Sequence, residues 1–129
     1  MFERIELMNM ARAMTDHAAR RQIVVARNVA NADTPGFKAT ELEAFEDSYR
    51  RNTTGEMRVT RAGHIAPPDW SPATAREYSV ETAASPNGNS VSLEEEMLKA
   101  AETKREHELS LGIYRSAMEL MRTSIGRRG

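Results

Sequence analysis

Three histidines, His17, His64 and His107, are the side chains of this 129-residue chain best suited to move a proton or hold a metal, and they lie far apart in sequence. No HExxH pairing, nucleophile elbow or glycine-rich phosphate loop surrounds them. Asp16 and His17 could form an acid-base pair, but the simpler reading puts both on the solvated surface of a helix. His107 falls on an apolar helical register, where titration between pH 5 and 8 would tune packing. A polar residue tolerated in a seam explains it as well. Metal-ligand spacing is absent, and with no cysteine in the chain there is neither a disulfide nor a thiolate site. Asn52-Thr53-Thr54 matches a glycosylation sequon, in a loop context equally common without sugar. The expectation is a protein without catalytic residues, cofactor, metal or small-molecule substrate.

Charge narrows the partners. Lys plus Arg number 18 against 19 Asp plus Glu, so nothing overall favours nucleic acid or an anionic membrane, although Arg127-Arg128 is locally basic. The charged start, Met1-Phe2-Glu3-Arg4-Ile5-Glu6, has no apolar core or small-residue cleavage site, so export by a classical signal peptide is not expected. Aromatic residues make up only 5% of the chain, too few large side chains for a rich globular core.

The elements that must supply a function are therefore helices. From Glu3 to Asn31 no Pro or Gly intervenes, and Leu7, Ala11, Met14, Ala18, Val25 and Ala32 follow steps of four and three, with Arg21 and Asn28 as polar members of the register. Ile23, Val24, Val25, Ala26, Val29 and Ala30 leave only the Arg27/Asn28 sector polar, an apolar girdle that needs neighbours on more than one side. A second register picks out Leu93, Met97, Ala100, Lys104, His107, Leu111, Tyr114, Met118, Met121 and Ile125. Ser92 with Glu95 reads as its capping box, Glu94 to Glu96 suit the first turn, and Gly126 marks the end.

Between these helices stand Asn52-Thr53-Thr54-Gly55, Gly63, Pro67-Pro68, Ser71-Pro72 and Ser85-Pro86-Asn87-Gly88-Asn89, turn formers dense enough to argue against a long helix. Short extended pieces are expected near Met57 to Thr60 and Glu77 to Val80. The fold class is mainly α: an elongated, coiled-coil-like hairpin of two long helices with a loop-rich middle and at most a small β element. One structural domain contains an N-terminal helix (1–33), a turn motif with an irregular middle (34–90) and a C-terminal helix (91–129). The helices should run roughly 43 and 50 Å, longer than the roughly 36 Å diameter of a globule of this size. Two helices cannot cover the girdle alone, so something outside the chain should cover it.

Thr34-Pro35-Gly36-Phe37 fits a type II turn, with Pro at its second position and Gly at its third. Asn31 and Asp33 can bond nearby backbone groups, Phe37 can fold back onto the helix end, and the middle leaves at a set angle.

The string Asn28-Val29-Ala30-Asn31-Ala32-Asp33-Thr34-Pro35-Gly36-Phe37-Lys38-Ala39 resembles the signature near the N-terminus of the bacterial flagellar basal-body rod protein family. Gly88-Asn89-Ser90-Val91-Ser92-Leu93-Glu94-Glu95-Glu96-Met97 is similar to the opening of the C-terminal helix in its proximal-rod members, with Ser92 where Asp is common. Glu106 to Leu111 lacks the aromatic-rich segment usual in distal members. The resemblance implies a structural subunit exported through the flagellar type III apparatus without a cleaved signal peptide and polymerised into the proximal rod. Its partners would be copies of itself, other rod proteins, the basal-body base and the export gate. Carried onto this chain, the turn motif is Asn28, Ala30, Asn31, Thr34, Pro35, Gly36 and Phe37. The assembly helices present Leu7, Ala11, Met14, Ala18, Ile23, Val25 and Val29, and Leu93, Met97, Ala100, Leu111, Tyr114, Met118, Met121 and Ile125. The alternatives are another rod paralogue or a cytoplasmic coiled-coil adaptor or export chaperone. Against the adaptor, roughly 60 residues separate the helices where bundles use short connections.

Overall fold

A computed structural model describes residues 2–56, 75–80 and 84–126. The uninterrupted apolar periodicities become two long helices, α1 (Phe2–Ala30) and α3 (Leu93–Gly126). Between them lie strand β1 (Thr40–Leu42), helix α2 (Phe45–Glu56) and strand β2 (Glu77–Ser79). The long helices run antiparallel. The Arg4 guanidinium reaches the Leu120 carbonyl at 3.4 Å near one end, the Thr15 and Ser110 hydroxyls meet at 2.8 Å midway, and Arg21 meets Glu106 at 3.3 Å further on.

Small side chains make the seam between them. Ala11, Ala18 and Val25 are buried at seven-residue intervals on α1, opposite Glu96, Thr103, Ser110 and Ala117 at the same interval on α3. The spacing is that of a coiled coil. Thr103 turns its hydroxyl back onto the Lys99 carbonyl, 2.7 Å away, which satisfies it within the dry contact.

This corrects the α3 register read from hydrophobicity, which lies one residue, about 100° of helix, away from the true contact line. Of the expected line, Ala100, His107, Leu111, Tyr114 and Met121 are half-buried at the edge of the seam, while Lys104 is exposed. Leu93, Met97, Met118 and Ile125 are exposed, Met97 by 71%. The physical reason is size: large side chains would hold the axes apart, and helices that approach closely do so over Ala, Ser and Thr. On α1 the expected line agrees better, with Met14 half-buried beside the buried alanines and only Leu7 exposed. Of the girdle, Val24 and Val25 are buried, whereas Ile23, Ala26, Val29 and Ala30 face outward.

The middle is more ordered than its turn formers suggest. β1 pairs antiparallel with β2 in the register Thr40 with Ser79, Glu41 with Tyr78, and Leu42 with Glu77. The expected extended piece at Glu77 to Val80 thus exists, β1 was not anticipated, and Met57 to Thr60 lies outside the described residues. α2 is a further correction, since it continues through Asn52-Thr53-Thr54-Gly55. Its N-terminal half supplies what propensity lacks: Phe45 and Tyr49, one turn apart with ring centroids at 5.3 Å, pack on a small core of Ala13, Leu42 and Ala75.

That core also buries His17, which the sequence placed on a solvated surface. The ring is only 3% exposed, its Nε2–H donates to the Glu43 carbonyl at 2.7 Å, and it meets Phe45 edge-on at 5.7 Å. Burial holds the imidazole below its ordinary value of 6.5, partly offset by the Glu43 bond and by Glu106. Below 6.5 the unfolded chain takes up a proton that the folded ring resists, so this contribution to stability is complete above that pH. It diminishes as pH falls from there through the depressed folded-state value. Urea melts should therefore give a lower midpoint at pH 5.5 than at pH 7.5. His17→Gln, which keeps an N–H for the Glu43 carbonyl, should flatten that dependence.

Candidate functional site

The corner after α1 is held from both sides. Asn31 N–H lies 3.2 Å from the Arg27 and Asn28 carbonyls, and its side-chain amide donates to the Arg27 carbonyl at 2.8 Å. Thr34 Oγ1 donates to Asn31 Oδ1 at 3.2 Å. Phe37 N–H then closes on the Thr34 carbonyl at 3.2 Å, with Gly36 at a φ of 74°. The positive angle at the third position and the closing bond are those a type II turn requires. Ala30 and Pro35 are exposed and Phe37 is half-buried.

A second turn meets the first. Gly88 N–H donates to the Ser85 carbonyl at 2.7 Å with Gly88 at a φ of 83°, and Gly36 N–H donates to the Asn87 carbonyl at 3.0 Å. The two glycines are close enough that a Cβ on Gly88 would stand 3.4 Å from the Gly36 Cα.

Asn89 joins the corner to the start of α3. Its side-chain amide nitrogen lies 2.8, 2.9 and 2.8 Å from the carbonyls of Asn31, Ala32 and Thr34, the first and third of which also accept the N–H groups of Thr34 and Phe37. Its Oδ1 accepts Val91 N–H at 2.8 Å, just ahead of α3. Ser90 adds two bonds, its N–H to the Phe37 carbonyl at 3.0 Å and its Oγ from Ala39 N–H at 2.8 Å. Asn28, a polar member of the α1 register, is fully buried, pairs with both backbone groups of Thr40 at 2.7 and 3.2 Å and so seats β1 on α1. Asn89 and Ser90 were not among the expected site residues. Their signal, an Asn-Ser pair between a turn glycine and a helix start, shows its purpose only once the distant carbonyls are in place.

Beside the clamp, charged groups tie three elements together. Arg21 on α1 reaches Glu41 on β1 at 3.2 Å, and Glu102 and Glu106 on α3 at 3.4 and 3.3 Å. Lys99 bridges Glu41 at 3.3 Å and Glu96 at 3.4 Å. Burial opposes the Arg21 charge, yet Glu41, Glu106 and Glu102 outweigh it and hold the guanidinium more firmly protonated than usual. Lys99 is raised in the same way against its own burial, by Glu41 and Glu96. Buried ion pairs return little net stability, but removing one partner strands the other, so the network penalises any slip of α3 along α1. Among the described residues, no three His, Asp or Glu side chains gather as a metal site would need.

Proteins similar in sequence match most of this chain's length. A flagellar basal body rod protein FlgB from Agrobacterium fabrum (strain C58) is 33% identical over 128 residues, 95% of each chain. This chain belongs to the FlgB family. FlgB of Escherichia coli K12 is 31% identical over 101 residues, 72% of this chain and 73% of that one. FlgB of Salmonella typhimurium LT2 is 31% identical over 111 residues, 80% of each. The family described as "Flagella basal body rod protein" matches residues 9–38. In this FlgB-family chain that span holds the α1 half of the seam and the whole type II turn.

Two substitutions measure the clamp. Asn89→Ala removes the side-chain partner of the Ala32 carbonyl and of the Val91 N–H and should cost about 1–3 kcal/mol in chemical denaturation. Asn89→Asp, which keeps the acceptor for Val91 but faces three carbonyls with a carboxylate, should be no better. Gly36→Val should cost about 1–3 kcal/mol through backbone strain alone, since nothing stands within 4 Å of the added Cβ. Gly36→Asn, whose side chain tolerates positive φ, should be milder in the same melts.

Proposed function

We propose that the chain polymerises through the outward faces of α1 and α3 into the proximal rod of the flagellar drive shaft, beside copies of itself and other rod proteins. Membership of the FlgB family makes it a structural component of the flagellar basal body rod. Delivery is through the type III export gate, without a cleaved signal peptide, to a rod that rises from the basal-body base across the periplasm. Its work is mechanical, with no reaction, cofactor, nucleic acid or small-molecule substrate.

One observation carries this reading: the seam uses the small and polar side chains and leaves the large apolar ones outside. Ile5, Leu7, Ile23 and Val29 on α1 are exposed, as are Leu93, Met97, Met118 and Ile125 on α3. Their burial against neighbours would supply about 25 cal/mol per Å² of apolar surface to assembly. A fold without disulfides, whose long helices meet over alanine, serine and threonine, also suits a chain that must be threaded through a narrow channel before it assembles.

Val29→Asp and Met97→Asp test the reading, because both side chains are exposed and their loss should spare the fold. Circular dichroism of the purified variants should match the parent, while the variants should be missing from isolated basal bodies and the cells non-motile. Val25→Asp, buried at the seam, should instead unfold the chain. Normal rods built from either surface variant would overturn assembly through these faces.

A further inference from the structure

The outward faces differ in shape. Lys99, Glu102 and Glu106 turn toward Arg21 and Glu41 on one flank of α3. The other flank, with α1, forms an open groove of about 620 Å³ lined by Ala18, Ala19 and Gln22 and by Ala100, Ala101 and Lys104. The methyl groups of four alanines give it apolar walls with room for larger side chains.

Elsewhere on α3 stands the counterpart. Leu98, Leu109 and Leu120 recur every eleven residues, an interval that drifts only about 20° per step, so they form one line along the helix. Their exposures are 62%, 58% and 53%, so the ridge is unburied along its length. Glu94 and Glu95 flank Leu98 at i−4 and i−3, whereas Lys104 and His107 stand at the groove. Size and charge are thus complementary between two surfaces of a single molecule.

We infer that the alanine groove between α1 and α3 receives the leucine ridge of α3 from a second copy of this chain, Leu98 entering with its glutamates against Lys104. The inference rests on the rod reading above and adds which surfaces mate. Around the helix Leu98 lies about 160° from Ala100 and about 60° from Ala101, so the ridge borders the outer wall of the groove and faces away from its inner one. A head-to-tail contact of unlike surfaces leaves a free ridge and a free groove at each end of every dimer, and it propagates into a ring or helical filament.

The absence of cysteine makes the contact readable by disulfide trapping. A strain carrying two alleles, one Ala101→Cys and the other Leu98→Cys, should yield, on mild oxidation of isolated basal bodies, a disulfide-linked dimer of this chain. Either allele alone should yield none. Ala19→Cys on the opposite wall, paired with Leu98→Cys, should repeat the result. Both positions on the tested pair are exposed, and circular dichroism of each purified variant checks that folding is intact. A dimer from the Ala101→Cys allele alone would mean a two-fold contact and overturn the inference. A link from Ala101→Cys to a different rod protein, or no link while both variants are present in the rod, would overturn it and leave the rod reading standing. Absence of well-folded variants from basal bodies, with the parent chain absent too, would overturn both.

Discussion

One carboxamide holds the two ends of this molecule together. The Asn89 amide nitrogen meets the carbonyls of Asn31, Ala32 and Thr34, just past the end of α1, within 2.9 Å, while its oxygen accepts the Val91 N–H at the entry to α3. Helix ends carry unpaired groups by construction, and a buried one is costly unless something answers it. Here each helix end answers the other, so the direction in which α3 departs is set by where α1 stops. The turn glycines serve the same constraint: with φ at 74° and 83°, Gly36 and Gly88 hold a left-handed backbone that a side chain would strain.

From that fixed point the helices run antiparallel over a seam of small residues, and the rest of the surface follows. Close approach excludes Leu93, Met97, Met118 and Ile125 from the contact and leaves them exposed. Arg21, Lys99 and the glutamates around them contribute less to stability than to register, because a displaced α3 would leave buried charges unpaired. The β1–β2 ribbon is seated on the same side by Asn28 and Glu41.

The legible parts of the fold were those decided within a few residues. Helix extents followed from uninterrupted apolar periods, the stop from Pro35-Gly36, and the turn type from Gly at its third position. α2 was hidden because Asn52-Thr53-Thr54-Gly55 is a poor helical sequence, and its stability comes from Phe45 and Tyr49 packing on residues as distant as Ala13 and Ala75. His17 was misplaced for a similar reason: nothing beside it in sequence foretells the Glu43 carbonyl that receives its N–H.

By itself, then, the sequence determined two long helices, the corner that ends the first, a chain without thiol chemistry, and a surplus of apolar side chains over what two helices can cover. These depend on backbone torsion, periodicity and composition, which act locally or as sums. Only the tertiary structure decided which face of α3 meets α1, because periodicity ranks residues by hydrophobicity whereas a close helix contact selects them by size. It also decided the role of Asn89, since a hydrogen-bonding side chain has no assignable partner until carbonyls more than fifty residues away are brought within reach.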